Sequence, residues 1–262
     1  MAKVASQPPV RTPSGGTTDQ IFQPLADCGN GNPAFYHQYF DDMDQAVSFN
    51  ATAGTGTYTV TGTGTWASSS QDGGVGRLSA LTASFEQIQL PSPSFSINSQ
   101  PKKVFFEVGF TGMSTPALST IVVGLTNFNA NLTGSTITDG VYFTYAGATN
   151  ILTLTSVIAS AATTVTLPTA AYSLLTAATP FALAFYITRL GDILAYVDTQ
   201  LVGFIPQSNI GTSGNPQNAG AVSRITGPTL TTALLTPSLG IAAAAGATRS
   251  IDIDYIDVQK ER

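Results

Sequence analysis

Between Pro180 and Pro206 the chain reads PFALAFYITRLGDILAYVDTQLVGFIP, and its apolar positions recur every second residue. Phe181, Leu183, Phe185 and Ile187 fall on one face of an extended chain and Ala182, Ala184, Tyr186 and Thr188 on the other, the signature of a β-strand. Gly191-Asp192 marks a turn, Ile193, Ala195 and Val197 alternate with Leu194, Tyr196 and Asp198, and Thr199-Gln200 reverses the chain into a third strand, Leu201 to Ile205, closed by Pro206. Three strands with tight turns make an antiparallel meander. A meander apolar on one face needs a second layer over it.

The same period runs through much of the chain. Thr57 to Thr61 alternates, and the low-complexity stretch GTGTYTVTGTGT at 54–65 predicts two strands joined through Gly62. Arg77 to Phe85, Val104 to Phe110, Ser119 to Leu125, Gly140 to Tyr145 and Ile151 to Ile158 read as further strands, set apart by Gly, Pro, Asn and Asp. Strands at this spacing predict an all-β, two-sheet antiparallel sandwich. Its core draws on Phe181, Leu183, Phe185, Ile193, Ala195, Val197, Ile251, Ile253 and Tyr255. One interval breaks the pattern: Thr169 to Thr179, between two prolines, predicts a short helix capped by Thr169. Residues 207–233, rich in Gly, Asn, Pro and Thr, read as a long surface loop of the kind that forms interfaces.

Residues 1–38 carry Pro8, Pro9, Pro13, Pro24 and Pro33 with four glycines and show no sustained period. They predict an extended N-terminal arm ahead of a sandwich domain at 39–262, shaped by the subunits it lies along. Val4, Val10, Ile21, Phe22, Leu25 and Tyr36 are the apolar side chains with which such an arm would hold a partner.

The run ILAYVDTQLVG resembles the strand, Asp-containing turn and strand of concanavalin A-like (laminin G-like) jelly-roll sandwiches, with Thr199 where that family has a turn glycine. Tyr39-Phe40-Asp41-Asp42-Met43, Asp139-Gly140-Val141-Tyr142-Phe143, Ser238-Leu239-Gly240-Ile241 and Ile251-Asp252-Ile253-Asp254-Tyr255-Ile256 are similar to it as well, so the resemblance spans about 39–258. It implies the concanavalin A-like fold. That architecture hosts lectins, glycosidases, receptor modules and virion proteins, so function has to be argued from individual residues.

Composition narrows the classes. At 262 residues the chain is long enough to bury roughly three quarters of its unfolded surface in one core. Charged residues make up 10 % and the net charge is −5, with the basic residues scattered apart from Lys102-Lys103, so no basic stripe is present to bind nucleic acid. Cys28 is the sole cysteine and forms no internal disulfide, which suits synthesis in the cytoplasm. MAKVASQPPVRTP lacks the apolar core of a signal peptide, and no run approaches a membrane span.

Candidate chemistry is sparse. His37 is the sole histidine and sits in the arm, which leaves no Ser-His-Asp arrangement on the body and no zinc site of ordinary composition. Glycosidases with this fold carry paired acids in a Glu-x-Asp-x-x-Glu pattern, whereas Glu86 and Glu107 stand alone and read as solvated strand-face residues. In IDIDYID, Asp252 and Asp254 fall on one face opposite Ile251, Ile253 and Tyr255, as a half-exposed strand requires; with Asp257 they form the densest acidic group, yet a calcium site needs six or more oxygens. Asp139 and Asp198 read as turn residues. Trp66, Tyr36, Tyr39 and Phe40 would stack on sugar if exposed, and core packing is the alternative. No catalytic residue, metal or cofactor is expected. The expectation is a non-enzymatic structural protein of a virion, a capsid decoration or cement protein of a tailed phage. Its partners would be the major capsid protein, other virion subunits and copies of itself. The alternative is a carbohydrate-binding, lectin-like module of a phage tail or adhesin.

Overall fold

The computed structural model describes residues 35–41, 43, 57–69, 74–91, 95–97, 103–114, 116–128, 131–134, 137–168, 180–188, 191–206, 230–244, 246 and 248–261. At 35–38, 40, 116 and 261 it describes the backbone alone. Val4, Val10, Ile21, Phe22 and Leu25 therefore lie outside the described residues, as do the side chains of Tyr36, His37 and Phe40, the interval Thr169 to Thr179 and residues 207–229.

The described residues form an all-β sandwich. Its strands are β1 (Phe35–Asp41), β2 (Thr59–Gly62), β3 (Thr65–Ser68), β4 (Gly76–Ala80), β5 (Phe85–Gln89), β6 (Phe95–Ser96), β7 (Val104–Met113), β8 (Ser119–Thr126), β9 (Gly140–Ala146), β10 (Ile151–Ile158), β11 (Ala161–Thr166), β12 (Phe181–Ile187), β13 (Ile193–Val197), β14 (Gln200–Ile205), β15 (Leu234–Ala243) and β16 (Arg249–Glu261). The first sheet runs β14-β13-β12-β7-β16-β4-β3, with β1 paired to the later half of β16. The second runs β11-β10-β9-β8-β15-β5-β2, with β6 on β15. Every pairing is antiparallel. Among the described residues no helix is long and apolar enough to cross a membrane.

The inward positions of both sheets form one core. Phe185 stacks on its cross-strand partner Phe106 at 5.0 Å and reaches Phe143 of the second sheet at 6.2 Å, so these three rings tie the layers together. Phe181, Leu183, Phe185, Ile193, Ala195, Val197, Ile251 and Ile253 are all buried in it, as alternation predicts. Tyr255 is not. Ile253 faces Phe110 and Tyr255 faces Gly109, which leaves Asp254 as an extra residue, a β-bulge that flips the alternation. Beyond it Ile256 and Val258 point inward while Tyr255 lies on the outer face.

Two other expectations change. Arg77 to Phe85 is not one strand: β4 ends at Ala80, a turn with Ala83 at φ 56° intervenes, and β5 joins the other sheet. The reversal after β13 is Asp198-Thr199, both at positive φ, and Gln200 already pairs with Val197.

Candidate functional site

The outer face of the first sheet is the richest surface in chemistry, and its register sets the side chains in rungs. One rung runs Asp257, Glu107, Ala184, Tyr196, Leu201 across β16, β7, β12, β13 and β14. The next runs Gln259, Phe105, Tyr186, Leu194, Phe204. Phe105, Ala184, Tyr186 and Tyr196 form a second apolar cluster with half-buried Leu194 against it, separate from the main core. Leu201 and Phe204 continue the two rungs on edge strand β14 and are exposed.

At the β7–β16 seam the bulge at Asp254 lays the Tyr255 ring over Gly109, where a Cβ would sit 2.2 Å from the ring edge. The Tyr255 hydroxyl donates to Glu107 Oε1 at 2.9 Å, and Gln259 Nε2 donates to Asp257 Oδ2 at 2.8 Å. Burial pushes the Glu107 carboxyl up to about 7; the Tyr255 hydrogen bond opposes this, and the negative charges of Asp257 and Asp198 add to it. Asp198, whose carboxylate accepts the Ala182 N–H at 2.7 Å, is also raised by burial, with that bond holding it back. Glu107 is therefore half-buried and bonded rather than solvated.

The remaining candidates support the fold. Glu86 is also buried rather than solvated: it faces inward beside Ile241 at the sheet end and accepts the Gly64 N–H from the β2–β3 turn. Burial raises its carboxyl, opposed by that bond. Asp252 holds Arg77 in a bidentate pair, 2.6 and 2.7 Å, across β4 and β16. Asp139 accepts from Thr231 and from the Ala159 N–H and is lowered overall, burial being outweighed by its hydrogen bonds. Trp66 is not a sugar platform: it is buried, edge-on to Tyr58 at 6.0 Å, with its ring over Gly76. Tyr39 donates to Tyr58 at 2.7 Å and Tyr58 to Asp41 at 2.9 Å, and Asp41 also accepts the Met43 N–H, which fixes the 39–43 motif beside β2. Among the described residues no group of three or more His, Cys, Asp or Glu is placed to hold a metal ion.

Sequence reasoning missed the Glu107-Tyr255-Asp257 group. Its three members lie far apart in the chain or, in Tyr255, beyond an irregularity, and the available signal was the period-2 reading of β7, which sets Glu107 opposite the apolar face.

No protein-family model matches the chain, and no curated protein matches it in sequence. Solved structures do match. The carbohydrate recognition domain of Emp47p aligns over 89 % of this chain and 99 % of its own, with a TM-score of 0.50 and 9 % identity. The binding domain of botulinum neurotoxin DC, in complex with rat synaptotagmin II, aligns over 77 % of this chain with a TM-score of 0.46 and 9 % identity. A botulinum neurotoxin type C structure, from work tying cell entry to two ganglioside molecules, aligns over 78 % with a TM-score of 0.45 and 8 % identity. This chain spans less than half of the toxin chains, 43 % and 44 %. It has the two-sheet jelly-roll-like fold of the Emp47p carbohydrate recognition domain.

Proposed function

We propose that the protein is a non-catalytic carbohydrate-binding module that uses the outer face of the first sheet. The observation that carries this reading is the bulge at Asp254, which turns Tyr255 out of the core and sets an aromatic ring against Glu107, with Asp257 facing Glu107 across the ladder and Gln259 bonded to Asp257. Sugar recognition needs that combination: a ring face for the C–H bonds of a pyranose and acceptors or amides for its hydroxyls. The likeness to a carbohydrate recognition domain supports it at the level of fold. A binding rather than hydrolytic role fits the acids present, because Glu107 and Asp257 sit side by side on one rung, bonded to Tyr255 and Gln259, and the Tyr255 ring is the group left to meet a sugar.

The test is a glycan array probed with the full chain, followed by calorimetric titration of any retained oligosaccharide into the wild type and Tyr255→Ala. Saturable binding weakened at least ~tenfold by the substitution is expected. Retention of no glycan, or equal affinity in the variant, would sink the reading. A role in a virion coat, bound to the major capsid protein, would rest on the sequence ahead of β1 and on the 207–233 loop, and the described side chains do not argue for it. Co-sedimentation of the full chain with capsids is its test.

A further inference from the structure

The charges around the Tyr255 ring are all of one sign. Asp257 faces Glu107 across the ladder, and the Tyr255 hydroxyl donates to Glu107 Oε1 at 2.9 Å, so the ring carries a carboxyl at its tip. Asp254, the bulged residue, precedes Tyr255 in the chain. Asp198 closes the rung that runs Tyr255, Gly109, Ala182, its carboxylate on the Ala182 N–H at 2.7 Å. Gly109, Ala182 and Ala184 lie between these acids, and none has a side chain beyond Cβ.

No described cation offsets them. Arg77 reaches the same face from β4, but Asp252 holds it in the bidentate pair. Arg249 is buried and donates to Thr248 O at 3.0 Å. Lys260 shares the inward parity of Ile256 and Val258, and both it and Lys103 stand past the Gln259–Phe105 rung, about 10 Å or more along the strands from Asp257 and Glu107. The field registers within the protein: Glu107 is raised first by burial and then by the charges of Asp257 and Asp198.

We infer that this face selects uncharged sugars and turns away glycans whose stacked residue carries a carboxylate or a sulfate, with Asp257 and Glu107 as the residues that set the preference. The inference rests on the sugar-binding reading proposed above. A pyranose stacked on the Tyr255 ring lies roughly 4–7 Å from it, inside the Debye length of ~8 Å at physiological ionic strength. An anionic group there meets the rung of acids with little screening and finds no counter-ion among the described side chains. Repulsion between two charges at that distance near a protein surface is worth on the order of tenfold in affinity or more. Neither acid has to contact the sugar for this, so their bonds to Tyr255 and Gln259 leave the effect intact.

The experiment sets matched sugars against the full-length protein: oligosaccharides of glucose against glucuronic acid, of galactose against galacturonic acid, and each neutral sugar against its 6-sulfate. Binding is read on an array and then by calorimetric titration at low and high salt, in wild type, Glu107→Gln, Asp257→Asn and the double variant. Each neutral sugar retained should bind at least ~tenfold tighter than its acidic counterpart. The gap should narrow in high salt, narrow in Asp257→Asn, and narrow most in the double variant. Asp257→Asn keeps an oxygen for the Gln259 amide, so it tests the preference alone if the double variant does not fold. An acidic sugar held as tightly as its neutral counterpart, or a gap as wide in Asp257→Asn as in wild type, would overturn the inference. If that acidic sugar is lost in Tyr255→Ala, the binding reading stands and the preference alone fails; retention of no sugar of either kind sinks both.

Discussion

Asp257 lies directly across the β7–β16 ladder from Glu107, so two carboxylates occupy facing positions on one side of a sheet. Facing like charges are unfavourable, and here burial already opposes ionisation of Glu107. The pair resolves the conflict by leaving one proton in place. With its carboxyl held at about 7, Glu107 is protonated in mildly acidic solution and ionises near neutrality.

Stability should therefore depend on pH in a defined direction. The folded chain holds this proton more tightly than an exposed glutamate with an ordinary value of 4.5 does. The stability linked to it is complete below about 4.5, declines as pH rises, and is lost above about 7, a change on the order of 3 kcal/mol. Glu107→Gln keeps the shape and an acceptor for the Tyr255 hydroxyl while removing the titration. Chemical denaturation at pH 5 and pH 8 should show a smaller loss in the variant than in wild type. Equal losses would mean that Glu107 ionises freely.

Gly109 is predicted to be the position at which a single methyl matters most on this face. A Cβ there meets the Tyr255 ring at 2.2 Å, so Gly109→Ala should cost about 1–3 kcal/mol by displacing the ring, and with it the Glu107 bond. The same substitution in a Tyr255→Ala background should cost less, which a double-mutant cycle measures. Additive effects would show that the ring is not in the way.

The β13–β14 turn stores strain at Thr199, a β-branched residue at φ 75°. Thr199→Gly should raise stability by about 1 kcal/mol, read as a higher denaturant midpoint. Asp198→Ala should lower it, because the Asp198 carboxylate accepts the Ala182 N–H.

Phe185 bridges the sheets, and its removal leaves a cavity bounded by Phe106 and Phe143. Phe185→Ala should cost about 3–5 kcal/mol and Phe185→Leu clearly less, with the slope of denaturant unfolding unchanged.

The β12–β13 hairpin was legible in the sequence because alternation there is unbroken, and Phe181 and Ile193 are buried as it requires, whereas β14 bulges at Val202 and sets Leu201 and Phe204 on one face. Alternation misled at Tyr255, since a bulge carries no residue signature of its own and Asp254 is unremarkable in sequence. The β4–β5 boundary was hidden for a related reason: Leu81-Thr82-Ala83-Ser84 turns without Gly, Pro or Asn. Glu86 and Glu107 looked solvated because sequence shows which face a residue takes but not what lies over it. Gln87 and Gln89 make the same point on the second sheet, where the loop after β8 brings the Leu132 N–H onto Gln87 Oε1 at 2.7 Å and both glutamines are buried.

The placement of β16 constrains how the chain reaches this fold. The strand pairs with β7, β4 and β1, partners between about 140 and 225 residues earlier, and it is the seam on which the first sheet closes. A nascent chain on the ribosome holds β7 and β12 with one ladder open until residues 249–261 have emerged. Closure of such distant pairs is slow, and the waiting edge of β7 is a template for any other strand. Until β16 is available, the open edge of β7 is the expected point of chaperone engagement, and a chain cut before residue 249 should aggregate where the full chain folds.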